Sequence, residues 1–367
     1  MTQMHSPHDP SEETTTERDV LQGAAVATNA RQVDSAAAIG EGLKNLKEVR
    51  SKGYGAPQKG GFAAEVHHEA TFNADAARKG LTVKATRTTG GAAADLKITQ
   101  GDQVVGEAQI KYRKTAAKAT KAVSHKKYDG MQKVVAEGQA ERVRDLAGKR
   151  GVDGLGEHNY ADTSRTAADR VEHSGASSKP LSRDAAQSKR LGARMVAGEA
   201  GAAAKAGATS GAVIGGAMSA VTNIKAAVSG EKTMLEASGT IVKDTALAAA
   251  GGAVSAAATS VATAGCARIG LQALSKGGAP GAIAATGIEV AKDLWALKNG
   301  TLNGRQVASR SVEHVGGAGG AWAGAAAGAA AGSVVPVVGT VIGGIVGGML
   351  GNMAARKAIS TAKKALA

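Results

Sequence analysis

Apolar positions along this chain change their period twice, and the changes divide it. Over residues 15–50, Val20-Leu21, Ala24-Ala25, Val33, Ala36-Ala37, Leu43 and Leu46 recur at roughly helical spacing, which predicts an N-terminal helical segment over 15–54. Residues 1–14 are polar. The first 35 residues hold six acidic against two basic side chains, so the start reads as a disordered, mildly acidic leader. Ser51 to Gly61 is a turn-rich joint. Further on the period falls to two on either side of Gly101-Asp102, which predicts a hairpin of two short strands. Side chains alternate along a strand, so Leu96 and Ile98 share a face with Ala108, Ile110 and Tyr112, while Asp95, Glu107, Gln109 and Lys111 gather on the other. Residues 151–200 mix Gly, Ser, Asp and Arg around Pro180 and read as a polar connector of loops and exposed helices.

From residue 201 the polar alternation disappears. Three long uncharged stretches, Ala206–Ile224, Thr245–Ala267 and Val315–Ala355, have the length of membrane-spanning helices. Glycine recurs every fourth residue within them, first at Gly207, Gly211 and Gly215. It does so again at Gly316, Gly320, Gly324, Gly328 and Gly332, and after Pro336 at Gly339, Gly343, Gly347 and Gly351. That spacing makes one helix face a smooth groove, along which a second helix can approach to backbone contact. In water an interior glycine costs about 1 kcal/mol relative to alanine, so such a series needs a close partner. The expected form of 315–355 is a helical hairpin, either membrane-spanning or folded as a tight soluble bundle. Arg356, Lys357, Lys363 and Lys364 follow as a basic end suited to anionic headgroups.

Composition separates the two halves further. Every Phe and Tyr precedes residue 161, and only Trp295 and Trp322 lie beyond it, so the second half must pack on Ala, Gly and Val. The lone Cys266 excludes an internal disulfide and a Cys-based zinc cluster, and in its Ala-rich surroundings reads as a small buried hydrophobe. The start lacks the charged and apolar regions of a secretory signal peptide.

The net charge of +14 is concentrated. Between Gln109 and Arg150 twelve Lys or Arg face four acidic residues. Arg113, Lys114, Lys118, Lys121, Lys126 and Lys127 follow directly on the polar strand face, where a polyanion is the economical partner. The face itself offers hydrolytic chemistry. Phosphodiester cleavage uses a hard cation to neutralise charge on the phosphate and to acidify a water. Mg²⁺ takes oxygen ligands, usually one or two protein carboxylates. Asp95 and Glu107, or the Gln109 carbonyl oxygen, would supply them, with Lys111 beside the attacking water. His67 and His68, adjacent on a helix, cannot form an i,i+4 metal pair. Their expected role is contact with phosphate.

The Asp95…Glu107-x-Gln109-x-Lys111 arrangement resembles the PD-(D/E)xK nuclease superfamily, in its variant with Gln in place of the acid two residues before the lysine. Lys59-Gly-Gly-Phe62-x-x-Glu65, Asn73 eight residues on, and Tyr128-Asp-Gly-Met-Gln132 resemble nuclease domains of phage-associated and toxin-like proteins. The resemblance covers roughly residues 55–150. It implies a restriction-endonuclease-like α+β domain in which Glu65, from the preceding helix, joins Asp95 and Glu107 as metal ligands and Glu65, Asp95, Glu107, Gln109 and Lys111 form the catalytic set. It also implies Mg²⁺ or Mn²⁺ as cofactor. Two departures stand out: no Pro precedes Asp95, and Gln109 leaves the second ligand open between itself and Glu107.

The sequence therefore predicts a leader (1–14), a helical segment (15–54), an α+β nuclease-like domain (55–150), a connector (151–200) and an all-α glycine-zipper region (201–367). The expected function is metal-dependent cleavage of nucleic acid, DNA in the first place, by a toxin or effector. Region 201–367 would meet membrane lipid or pair with another copy, and a cognate immunity protein is implied. Expected localisation is synthesis in a bacterial cytoplasm without a signal peptide, then export by a dedicated system or attachment to a membrane. The alternatives are a membrane-disrupting pore-former with a basic nucleic-acid- or lipid-binding segment, and a non-catalytic DNA-binding phage protein.

Overall fold

The computed structural model describes residues 30–88, 91–151, 156–268, 286, 289–290, 292–297, 299–332, 347 and 350–362. The leader, most of Pro336's surroundings, Gly339, Gly343, Lys363 and Lys364 fall outside them, as does the side chain of Cys266. The architecture is mixed α/β, with helices predominating and a mixed five-stranded sheet. The chain forms two compact units. One comprises Asp34–Glu199 with Thr263–Gln272, the other the remainder.

The first unit opens with α1 (Ala30–Ser51) and α2 (Ala56–Lys79). Helix α2 starts inside the predicted joint, because Pro57 in its first turn suits a position whose N–H has no partner anyway. Strands β1 (Val83–Arg87), β2 (Leu96–Gln100) and β3 (Gln103–Ile110) form an antiparallel meander. The β2–β3 turn holds Gly101 at φ +59°, and the register pairs Leu96 with Ala108 and Gln100 with Gln103 around one bulge. Helix α3 (Ala116–Val123), capped by Thr115, then carries the chain over to β4 (Gln132–Val134), parallel to β3. Helices α4 (Ala140–Arg150) and α5 (Tyr160–Thr166) precede β5 (Ala167–Ala168), which adds parallel to β4.

Each face of the sheet has its own core. Leu96, Ile98, Ala108 and Ile110 pack with Val66 and Phe72 of α2 and with Ile39, Leu43 and Leu46 of α1. Full burial of side chains of this size contributes about 1.5–3 kcal/mol each. A smaller cluster joins Ala119 and Val123 of α3 to Val135, Ala140, Val143 and Ala167.

The predicted connector 151–200 is a correction. It supplies α5 and β5, a two-stranded ribbon of β6 (Glu172–His173) and β7 (Ala176–Ser177), and α6 (Arg183–Gln187). Val171, Ala176, Leu181, Ala186 and Leu191 enter the main core. These apolar residues are single and small, so no run or period betrayed them, and the domain reaches Glu199 instead of ending near 150.

In the second unit, the Gly207–Gly215 part of α7 (Leu191–Val228) packs on α8 (Met234–Arg268). A Cβ on Gly207 would overlap the carbonyl oxygen of Gly252, and one on Gly211 that of Ala248. Helix α9 (Gly304–Gly332) meets the helical residues 350–362 in the same way. Gly316 faces Ile359, Gly320 faces Gly351 and Gly324 faces Gly347, an antiparallel register. The four-residue glycine period is thus a packing face at Gly207, Gly211, Gly215, Gly316, Gly320, Gly324 and Gly351.

Candidate functional site

Helix α2 carries one stripe toward the sheet: Glu65, Glu69 and Asn73, spaced by four. Asn73 exchanges two hydrogen bonds with Ala85 of β1, its amide donating to the carbonyl at 2.9 Å and its oxygen accepting from N–H at 2.7 Å. Glu69 accepts from the Arg87 N–H at 3.0 Å and from its Nε at 2.9 Å. These bonds pin β1 along the helix. Glu65 lies one turn earlier on the same stripe, within electrostatic reach of Asp95 at the start of β2.

There Asp95 is half-buried and its Oδ2 is heavily used. It accepts from the Ile110 backbone N–H at 2.8 Å and from the Gln109 amide, and Lys111 Nζ lies 3.5 Å away. Gln109 is almost fully buried, its amide nitrogen turned to Asp95. Lys111 is fixed from its own backbone, whose N–H donates to the Val134 carbonyl at 2.9 Å. Its ammonium also sits 5.8 Å from the centre of the Tyr128 ring.

Burial, and after it the charge of Asp95, pushes the Glu65 carboxyl up to about 8, against the opposing pull of Lys111 and Arg87. Asp95 and Lys111 are therefore the charged groups that Glu65 feels most strongly. A carboxylate and a desolvated carboxyl group, with an amide beside them, form an oxygen donor set that suits a hard divalent cation. Among the described residues no three His, Cys, Asp or Glu side chains form a metal cage. The set here is two carboxylates, the number Mg²⁺ ordinarily takes from protein.

Gln109 and Lys111 are thus both brought onto Asp95, and Glu65 lies within electrostatic reach of Asp95 and Lys111. Glu107 lies two residues up β3 from Gln109, across from Lys97, and is not among the charges acting on Glu65. Of the two residues left open as second ligand, Gln109 is the one at Asp95.

The six predicted polyanion-binding cations, Arg113, Lys114, Lys118, Lys121, Lys126 and Lys127, are all exposed, and among the described residues none is in an ion pair. Arg113, Lys118, Lys121 and Lys127 line an open groove of ≈ 560 Å³, and Arg113, Lys114 and Lys118 a smaller recess beside α2 and α6. Lys133, counted in the same basic run, is instead fully buried. It donates to Asp162 and, at 3.2 Å, to Thr166 on α5.

The histidines are a second correction. His67 Nε2 bonds the Lys179 carbonyl at 3.0 Å. His68 is sealed between Ser178 Oγ at 2.7 Å and the Tyr112 hydroxyl at 2.9 Å. Burial lowers His67 to about 4 and His68 well below its ordinary value, so both stay neutral and neither reaches phosphate. They tie α2 to the segment after β7. Sequence reasoning missed Glu69 and Asn73 as positioning residues, although their i,i+4 spacing from Glu65 was visible. It also missed Tyr128 beneath Lys111.

Residues 298–358 match the C13G5.2-like glycine zipper domain family. No curated protein and no solved structure matches the chain.

Proposed function

We propose that Asp34–Glu199 is a divalent-metal-dependent nuclease domain of the PD-(D/E)xK kind, on a chain whose glycine-zipper region engages membranes. The observation that carries this reading is the contact of Asp95 with Gln109 and Lys111, within electrostatic reach of Glu65 on α2 and beside a basic groove. Asp95, Glu65 and the Gln109 carbonyl oxygen would hold Mg²⁺ or Mn²⁺. Bound there, the cation supplies neutralisation of the phosphate and acidification of a water. Glu65 would hold the cation as its carboxylate, and Lys111 would orient the water or stabilise the charge that develops. The exposed cations hold the nucleic-acid backbone.

The zipper match and α8 support the membrane part. Met234–Gly265 has a window of mean hydropathy 1.4, and among the described residues it is the one helix long and apolar enough to cross a bilayer. These parts serve either a delivered toxin or effector, for which a cognate and acidic immunity protein is the expected partner, or a resident membrane-tethered nuclease acting on incoming DNA. A second reading, in which the helical region disrupts membranes in its own right, draws on the same apolar helix and predicts liposome leakage.

The test is cleavage of DNA and RNA by the purified full chain in Mg²⁺ or Mn²⁺, with EDTA as control. Metal-dependent cleavage lost in D95A is the expected result. Absence of cleavage on every substrate, or cleavage indifferent to EDTA, overturns the assignment.

A further inference from the structure

The groove next to Lys111 is lined by rings as well as by cations. His125, Tyr128 and His158 share its wall with Arg113, Lys118, Lys121 and Lys127. The rings touch in series. Tyr128 and His125 have centroids 6.1 Å apart, His125 and His158 also 6.1 Å, and His158 stacks on Tyr160 at 5.6 Å with planes 7° apart. A cation closes each end: Lys111 on Tyr128, and Arg150 at 5.5 Å from the Tyr160 ring. The backbone holds the series in place, since His125 and His158 form an antiparallel bridge and the Lys126 N–H donates to the Glu157 carbonyl at 2.8 Å. Composition does not account for it, because the chain has four tyrosines and two of them stand here.

Phosphates need the cations but not the rings. The bases of a duplex are already stacked on one another and offer no face to a side chain, whereas an unpaired base stacks readily on an aromatic or imidazole ring. We propose that this groove takes an unpaired nucleotide segment. Its phosphates run along Arg113, Lys118, Lys121 and Lys127, and a base lies against the His125–His158 platform. The strand then leads past Tyr128 to Lys111. The proposal rests on the nuclease reading and narrows its substrate to single strands, ends or flaps, of DNA or RNA.

Fluorescence anisotropy on the full chain in EDTA separates binding from cleavage. The probes are labelled dU20, U20 and a 20-base-pair DNA duplex. Wild-type protein is expected to bind a single strand more tightly than the duplex, and whichever of dU20 and U20 binds better identifies the sugar. H158A should lower single-strand affinity about ten-fold and leave duplex affinity within about two-fold, the effect of removing one stacking ring. H158F should restore binding, which guards against misfolding as the cause. Preference for the duplex, equal loss on both probes, or an unchanged H158A overturns the proposal. Added Mg²⁺ tells the two failures apart. Duplex cut at equal rates by wild type and H158A removes the substrate claim alone. Ring-dependent single-strand binding with no cleavage of any probe removes the nuclease reading alone.

Discussion

The two units bury opposite things. In the first, Phe72, Leu96, Ile98 and Ile110 lie inside, and large side chains hold a few polar groups in fixed positions. In the second, the contacts are made by glycine and alanine backbones, and the bulky apolar residues point outward. Among the described residues, sixteen of the eighteen exposed large hydrophobics belong to it, among them Val228, Leu235, Val242 and Trp295. A soluble fold places its large apolar groups in the core, and a wide exposed apolar surface marks a place of contact. Helices that meet through small residues and present Val and Leu outward follow the rule of helices in lipid. One chain thus carries a domain that keeps its large apolar groups inside and a region that, among the described residues, keeps them outside.

If the units are separate devices, damage to one should spare the other. The largest effect expected is at the proposed site. D95A and K111A should each lower cleavage about 10²–10⁴-fold, with far-UV circular dichroism and liposome binding unchanged. Liposome binding lost with cleavage would merge the two regions into one.

Glu65 sharpens the contrast, because its burial works against stability. Its folded-state value of about 8 exceeds the ordinary 4.5, so the folded form binds the extra proton between those values. This contribution is fully present below pH 4.5 and is lost as pH rises through about 8. In EDTA the wild-type domain should therefore weaken between pH 5 and 9 by roughly 2–4 kcal/mol, and E65Q should not, while losing metal-dependent cleavage. Chemical denaturation at the two pH values measures it. Mg²⁺ should remove the wild-type loss.

A smaller effect separates the two faces of α9. A methyl at Gly320 would meet the Gly351 carbonyl, whereas nothing lies within 4 Å of one at Gly319. G320A should destabilise the helix pair by about 1–3 kcal/mol, and G319A should stabilise it by about 0.5–1 kcal/mol. Thermal melts in detergent decide it, and equal effects at the two positions would leave the four-residue spacing without a role. The smallest effect belongs to surface charge. Gln at Lys118, Lys121, Lys126 and Lys127 should lower nucleic-acid affinity about ten-fold at 0.15 M salt. It should also flatten the slope of log affinity against log salt by about 3.

The hairpin was legible in the sequence because alternation, a Gly-Asp turn and a polar face coincided at Asp95–Lys111. The zipper was legible because its period is exact over many turns. The remainder of the sheet was hidden. β4 and β5 are three and two residues long, too short for periodicity, and their cores rest on Ala and Val. His67 and His68 misled because their partners, Lys179 and Ser178, lie over a hundred residues away in a stretch that looked like linker. Local pattern reports which face a residue is on, and says nothing of what later chain will cover it.

Asp95 takes its orientation from the main-chain N–H of Ile110, and Gln109 and Lys111 flank that residue at the end of β3. A one-residue slip of β3 would turn both side chains into the core and present Asp95 with a different amide. On the nuclease reading, chemical competence is thereby conditional on the finished sheet. A mis-paired chain would then hold no assembled site, so the register would act as a safety catch that releases only when folding is complete.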